Sequence, residues 1–210
     1  MASVELKEVM VDVRQAQRLM VAFYKRVMPL IKDISVELDC EHFHYWSPER
    51  FNRPSKSTNN PLQGRWEWDM VPMADTYFIF TSKPLENKDA VRKNTWMLVV
   101  RLVTDSGTEA FNGNHRNWNP LKFKAVEQCE TRLELYGYQS QQDTTKDWGY
   151  WDLWHKSDYP KLNGQLTTLG DKGAVFGCSV NLEDISSTDS LPSVLSEFKQ
   201  RLAEYHFAGE

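Results

Sequence analysis

The sequence contains few cysteines, no long apolar segment and no targeting signal. The three cysteines of the 210-residue chain, Cys40, Cys129 and Cys178, are odd in number and widely spaced, which fits no disulfide framework. No window approaches the roughly 18 apolar residues that a membrane helix requires. The first fifteen residues mix acids and bases, which is not typical of a secretory signal. These absences predict a cytoplasmic protein without membrane contact.

An excess of basic residues and the common catalytic signatures are also missing from the sequence. The formal net charge of −4 gives the acidic chain no overall attraction for a phosphate backbone, so we expect no nucleic-acid partner. There is no G-x-S-x-G elbow, no phosphate-binding loop before Lys-Ser or Lys-Thr, and no G-x-G-x-x-G motif. Neither Cys129 nor Cys178 has a neighbouring histidine that would activate a thiol.

Aromatic and apolar residues are abundant. The hydrophobic fraction is 40%, the aromatic fraction is 12%, and eight residues are tryptophan, which is enough to build a sizeable core. No internal repeat, low-complexity tract or linker divides the chain. The sequence therefore predicts a single domain over residues 1–210.

A long amphipathic helix is predicted over residues 4–38, because apolar residues recur there at spacings of three and four. Pro29 lies inside this segment and lacks the N–H that a helix interior needs, so we expect a kink or break near residues 26–28. At about 1.5 Å per residue, such a helix is longer than a small domain is wide. The overhang favours a homodimer through the N-terminal helix. The apolar face comprises Val9, Met10, Val13, Ala16, Met20, Phe23, Tyr24, Val27, Leu30, Ile31 and Ile34.

Strands are predicted within residues 76–182, and a second helix over residues 190–206. Four segments have strand composition: 76–82, 95–105, 130–139 and 174–182. The second is almost entirely apolar and should be the central strand. The third alternates apolar residues with Arg132, Glu134 and Tyr136, which predicts that one sheet face meets water.

The remaining segments complete the predicted fold. Residues 47–65 are rich in Pro, Ser, Asn and Gly, which is typical of a long surface loop. Ser190 and Pro192 open the C-terminal helix. We therefore expect an α+β fold, with an antiparallel sheet of about four to six strands packed by a long N-terminal helix and a C-terminal helix.

The stretch "CEHFHYWSPERFNRP", residues 40–54, contains candidate metal ligands. In an extended segment Cys40, His42 and His44 would point the same way, and zinc accepts both residue types. The second ligand pair of most zinc motifs is missing, however, and the imidazoles could equally bond backbone carbonyls in a packed corner. No cofactor is expected, and zinc at this cluster, in a metal-dependent hydrolase or nuclease, is the alternative.

A carboxylate set gives a weaker nuclease signal. Asp75 precedes a predicted strand, and Glu86 and Lys88 follow it, which resembles the acid and acid-x-Lys spacing that holds a magnesium ion in some nucleases. Pro84 separates Glu86 and Lys88 from the strand, whereas convergence on Asp75 would require a rigid element. A solvated charged loop is the simpler interpretation.

The tryptophan-rich segment "DWGYWDLWHKSDYP", residues 147–160, places Trp148, Trp151 and Trp154 three residues apart, so a helical turn would align their rings. An exposed ridge, with Tyr150 and Asp152, would be a binding hot spot for another protein. It could also stack on a carbohydrate or nucleotide. A buried ridge would instead be the lid of the core.

Together these features favour a non-catalytic, cytoplasmic protein-binding module, such as an inhibitor, an immunity-type protein or an adaptor. Its partner would be another protein, bound through the aromatic-rich surface of residues 148–154. The alternatives are the hydrolase centred on His42 and His44 and the carbohydrate or nucleotide site at the three tryptophans.

Overall fold

A computed structural model describes residues 3–49, 74–84, 91–110, 119–143, 149–185 and 187–207. In these ranges six strands form one antiparallel sheet in the order β1-β2-β3-β4-β6-β5. The helices are α1 (Ser3–Glu37), α2 (Tyr150–Trp154), α3 (Leu191–Val194) and α4 (Ser196–Glu204). The strands are β1 (His42–Pro48), β2 (Asp75–Thr81), β3 (Trp96–Val103), β4 (Arg132–Ser140), β5 (Thr167–Thr168) and β6 (Gly173–Asn181). The predicted α+β fold is confirmed.

The four predicted strands correspond to β2, β3, β4 and β6, and the apolar β3 lies in the middle of the sheet as expected. The additional strand β1 lies outside the predicted strand region and overlaps the first two residues of the predicted loop at 47–65. Residues 50–65 of that loop lie outside the described ranges. β1 escaped the sequence pattern because the register shifts between Phe43 and Tyr45, so its apolar residues do not alternate.

Helix α1 runs through Pro29 as one element, so a break at residues 26–28 is wrong, and a kink there stays a prediction. A proline inside a helix costs about 3 kcal/mol. The buried residues on either side, Val27, Ile31 and Ile34, pack into the core and offset that cost. Packing of α1 against the core thus outweighs the tendency of Pro29 to interrupt the helix.

The predicted helix at 190–206 is divided into α3 and α4 at Leu195, which has φ −89° and ψ 2°. Leu195 is fully buried together with Leu191 and Phe198. Their spacing of four and then three residues places all three side chains on one helical face, which packs into the core.

Both faces of the sheet are covered. One face packs against α1, α3 and α4, and the other against α2 and the segment that follows it. The prediction that one face of β4 meets water is therefore wrong: Glu134 and Tyr136 are each 2% exposed. Their polar groups are buried because an arginine on β3 pairs with them, as described below. No helix in the described ranges is both long and apolar enough to cross a membrane.

Candidate functional site

The predicted metal ligands Cys40, His42 and His44 do not converge. Cys40 is fully buried in the core beneath the helices, where burial raises the pKa of its thiol. His44 is the extra residue where the register of β1 shifts, and its ring packs edge-on against Tyr150, 4.3 Å away, on the other face of the sheet. His42 pairs with Thr81 of β2. In a regular strand the side chains of His42 and His44 would point to the same side, but the bulge at His44 removes this alignment.

No group of three or more His, Cys, Asp or Glu side chains is arranged to hold a metal ion in the part of the chain that the structure describes. Of the carboxylate set, Asp75 is fully buried at the start of β2. Glu86 and Lys88 lie outside the described residues.

The tryptophan-rich segment forms α2 and covers the second sheet face. Tyr150 and Trp154 are 1% and 3% exposed, so both belong to the core rather than to an exposed ridge. Asp152 accepts hydrogen bonds from Lys156 Nζ and from Gly149 N (3.2 Å), and the bond from Lys156 lowers the pKa of Asp152. Trp148 and the side chain of Trp151 lie outside the described part of the chain.

Beneath α2 lies a buried ion network centred on Arg101 of β3. Its Nε and Nη2 donate to the two carboxylate oxygens of Asp75, at 2.8 and 2.7 Å, and its Nη1 donates to Glu134 Oε2 at 2.9 Å. Tyr136 donates its hydroxyl proton to the same Glu134 oxygen at 2.7 Å, and Arg132 Nη2 donates to the other at 2.7 Å. Three neighbouring strands are thereby joined by charge-assisted hydrogen bonds.

The pKa shifts of Arg101 and Glu134 favour their charged forms despite their burial. Burial alone would lower the pKa of Arg101, but its hydrogen bonds and the charges of Asp75 and Glu134 raise it. Burial likewise acts to raise the pKa of Glu134, yet the charge of Arg101, with the bonds from Tyr136 and Arg132, holds it below the usual value. Each charge is stabilised by its partners, so the cluster is one unit.

Aromatic rings cover this network on the side of α2. The Arg101 guanidinium lies 5.7 Å from the centroid of the Tyr159 ring, which stacks on Tyr136 at 4.6 Å. Trp154 Nε1 donates to the Tyr159 hydroxyl at 3.2 Å, and that hydroxyl donates to Glu49 Oε2 at 3.4 Å. Burial and then the Glu49 charge raise the pKa of Tyr159, which keeps this phenol protonated at neutral pH.

A cavity of about 510 Å³ opens next to these rings. It is formed where the end of β1 and the neighbouring β2 meet the turn that follows α2. Its walls include the partly exposed Tyr45 and Tyr159, backed by the buried Tyr77 and Trp154. The carboxylates of Glu49 and Asp158 lie at its exposed rim. We call this site the aromatic pocket.

Sequence reasoning identified one residue of the aromatic pocket, Trp154, and missed the rest. The available signal was Arg101, the one charged residue within the apolar β3, because a buried arginine requires carboxylate partners. Glu134, on an alternating strand, was a candidate partner. Glu49 and Tyr159 are 110 positions apart in the chain and meet only in the folded protein. No local sequence pattern therefore predicts that both belong to the pocket.

The fold and the pocket define an α+β protein with an aromatic cleft over a buried ion network. The family model described as PM0109 matches residues 3–206, and the chain belongs to this family. A protein of Pasteurella multocida (strain Pm70), described as "Uncharacterized protein PM0109", is 25% identical over an alignment of 210 positions that covers 95% of each chain. No solved structure is significantly similar to the chain.

Proposed function

We propose that the protein is a non-catalytic protein-binding module whose aromatic pocket accepts a lysine or arginine side chain of a partner. The observation that carries this proposal is the combination of tyrosine rings and two carboxylates around one open cavity. The face of an aromatic ring is negative and attracts a cation within about 6 Å of its centroid. Glu49 and Asp158 would add direct charge attraction at the rim.

The support beneath the pocket favours binding. Tyr77 lies opposite Arg101 in the register of β2 and β3, and Tyr159 lies over the Arg101 guanidinium. The walls of the pocket therefore lie on strands that the ion network joins to one another. A preorganised site loses less conformational entropy when a partner binds.

The buried tyrosine of the site favours recognition over proton transfer. Burial raises the pKa of Tyr159, so this phenol is not deprotonated at neutral pH. A general base works best with a pKa close to the operating pH. Tyr159 is suited to donate a hydrogen bond and to form a fixed wall of the pocket.

The first experiment is an NMR titration of ¹⁵N-labelled protein with N-acetyl-lysine amide, N-acetyl-arginine amide and the neutral N-acetyl-norleucine amide. The reporter is the Trp154 indole N–H, assigned by its loss in Trp154→Phe. We expect both cationic probes to shift this signal and to bind at least about tenfold more tightly than the neutral probe. Equal affinity for all three, or no binding by any, contradicts the proposal.

The charge contribution is tested by the double substitution Glu49→Gln/Asp158→Asn. We expect affinity for the cationic probes to fall about tenfold, while affinity for the neutral probe stays unchanged. The matched control is Glu183→Gln/Asp184→Asn, which removes the same formal charge at exposed positions after β6. Equal losses of affinity for the cationic probes in the two variants would mean that binding depends on the net charge of the protein and not on the carboxylates of the pocket.

The two alternative functions have less support. Stacking of a carbohydrate or nucleotide on the tryptophan ridge requires accessible ring faces, and Trp154 is buried against Tyr77, with ring centroids 4.4 Å apart. The hydrolase centred on His42 and His44 requires ligands that converge, and the described residues do not bring them together.

A further inference from the structure

A second cavity, of about 430 Å³, lies where the end of α1 meets α4 and the residues that follow β2 and precede β3. It shares no lining residue with the aromatic pocket. Its volume falls within the range of about 300–1,000 Å³ that small-molecule sites have. We call it the α1–α4 cavity. Its walls combine carboxylates, hydrogen-bond donors and apolar side chains, each contributed by a different part of the fold.

The wall formed by the end of α1 is suited to a cation. Cys40 N donates to Ser35 O at 2.9 Å and Asp39 N to Val36 O at 3.0 Å, which is the hydrogen-bond pattern of a Schellman motif. Asp39 has φ 52°, at the position that glycine or asparagine most often occupies. The last turn of α1 contains no base, although a cation is favoured at the negative end of a helix dipole. The carboxylates of Glu37 and Asp39 therefore add to a negative helix end.

The wall formed by the residues after β2 and before β3 is suited to an anion. Ser82 Oγ accepts a hydrogen bond from Trp96 N at 3.3 Å, and its hydroxyl can still donate one. Lys83 and Asn94, which are both exposed, also line the cavity. A hydroxyl, an ammonium and an amide N–H group are the donors that a carboxylate accepts.

The charges of the α1–α4 cavity are only partly paired with one another. Lys199 Nζ of α4 donates to Glu37 Oε1, which joins α4 to the end of α1. Among the residues that the structure describes, Asp39 and Lys83 form no ion pair. One acid and one base, on different walls, thus remain to interact with a ligand.

The remaining wall of the α1–α4 cavity is apolar. Trp96 and Leu202 line it and are only 4% and 8% exposed. An apolar group that entered the cavity would cover this remaining exposed surface and leave water.

We propose that the α1–α4 cavity binds a free α-amino acid with an apolar side chain. The α-ammonium would lie beside Asp39 at the negative end of α1, the carboxylate beside Lys83 and Ser82, and the side chain against Trp96. A ligand with both charges satisfies both polar walls, whereas a simple cation or anion leaves one wall without a partner. This proposal concerns a different cavity from the aromatic pocket and does not depend on the function proposed there.

The test is an NMR titration of the ¹⁵N-labelled full-length protein with L-leucine and three related probes. Leucinamide lacks the carboxylate, N-acetyl-leucine lacks the ammonium, and free glycine lacks the apolar side chain. The reporters are the backbone amides of Ser82 and Ala203, which line the cavity, and the Trp154 indole N–H of the aromatic pocket. We expect L-leucine to shift the two amides with a dissociation constant below about 1 mM. Each of the other probes should bind at least about tenfold more weakly.

No binding of L-leucine, shifts confined to the Trp154 signal, or equal affinity for L-leucine and any of the other three probes would each overturn the proposal. Leucinamide is also a cation, so a response of Trp154 to leucinamide reports on the aromatic pocket separately.

Two substitutions test the charged walls one at a time. Asp39→Asn and Lys83→Gln should each weaken L-leucine binding about tenfold. Asparagine tolerates a positive φ, so Asp39→Asn keeps the end of α1 intact. The matched controls are Asp189→Asn and Lys161→Gln, at exposed positions outside the cavity, which should change the affinity less than about twofold. Equal losses in the variants and their controls would contradict the assigned site.

Discussion

At the scale of single residues, Arg101 allows two carboxylates to be buried beneath the aromatic pocket. Its guanidinium is the partner of two buried carboxylates, Asp75 and Glu134. Removal of one member of a buried ion pair leaves an uncompensated charge, which costs more than the intact pair contributes. The network therefore stabilises the folded protein only as a complete set.

We expect Arg101→Met to lower the free energy of unfolding by about 3–5 kcal/mol, measured by urea denaturation at pH 7. The control is Lys156→Met, which breaks the ion pair of an exposed lysine with Asp152 and should cost less than about 1 kcal/mol. The triple variant Asp75→Asn/Arg101→Met/Glu134→Gln removes all three charges and should recover part of the loss. Similar small losses for Arg101→Met and Lys156→Met would contradict the proposed role of the network.

Glu134 should make stability depend on acid pH. Its folded pKa lies below the ordinary glutamate value of about 4.3, so its ionised form stabilises the protein above that pH and the contribution is lost as pH falls through the folded pKa. We expect the difference in unfolding free energy between wild type and Glu134→Gln to be largest near pH 7 and to shrink from about pH 5 downward. A difference between wild type and Glu134→Gln that grew toward acid pH would exclude the assigned direction.

At the scale of elements, β4 and β6 are matched by pairing glycine with an aromatic ring. Tyr136 lies opposite Gly177, and Gly137 lies opposite Phe176. A Cβ at Gly177 would lie 2.9 Å from atoms of the Tyr136 ring, and one at Gly137 would lie 2.7 Å from the Phe176 ring. The glycines thus allow each ring to lie across the neighbouring strand, on opposite faces of the sheet.

We expect Gly177→Ala to lower the free energy of unfolding by about 1–3 kcal/mol, because the Tyr136 ring must move away from its contacts with Glu134 and Tyr159. The same variant should weaken binding of the N-acetyl-lysine amide probe, since Tyr159 forms part of the aromatic pocket. Ser179→Ala, an exposed position two residues along β6, should change stability by less than about 0.5 kcal/mol. If Gly177→Ala leaves both stability and probe binding unchanged, the Tyr136 ring can move without energetic cost.

The elements with a strong regular pattern were predictable from the sequence, and those fixed by distant contacts were not. The three- and four-residue spacing of Val13, Ala16 and Met20 predicts α1 without further information. β1 was hidden because its register shifts next to His44, and β4 was assigned an exposed face because the pairing of Glu134 with Arg101 is invisible in local spacing. The aromatic pocket was missed for the same reason.

At the scale of the whole molecule, two cores share one sheet. Leu195 packs on the face covered by α1, and Leu153 packs on the face covered by α2. The same strands present alternate residues to both cores. Loss of packing on one face of the sheet should therefore also destabilise the strands that support the core on the other face.

We expect Leu153→Ala and Leu195→Ala each to lower the free energy of unfolding by about 2–5 kcal/mol. In both variants the near-ultraviolet and far-ultraviolet circular dichroism signals should unfold in one coincident transition, because the two layers form a single cooperative unit. Two separated transitions in either variant would mean that one layer unfolds independently of the other.

The ion pair between Glu37 and Lys199 joins residues 162 positions apart, and it lies where α1 meets the C-terminal helices. During translation, α1 leaves the ribosome long before α3 and α4 are made. At about 5–20 residues per second, the apolar face of Ile31 and Ile34 waits on the order of ten seconds for its last partners. The apolar face of α1 therefore stays without its final packing partners until the C-terminal helices have been synthesised.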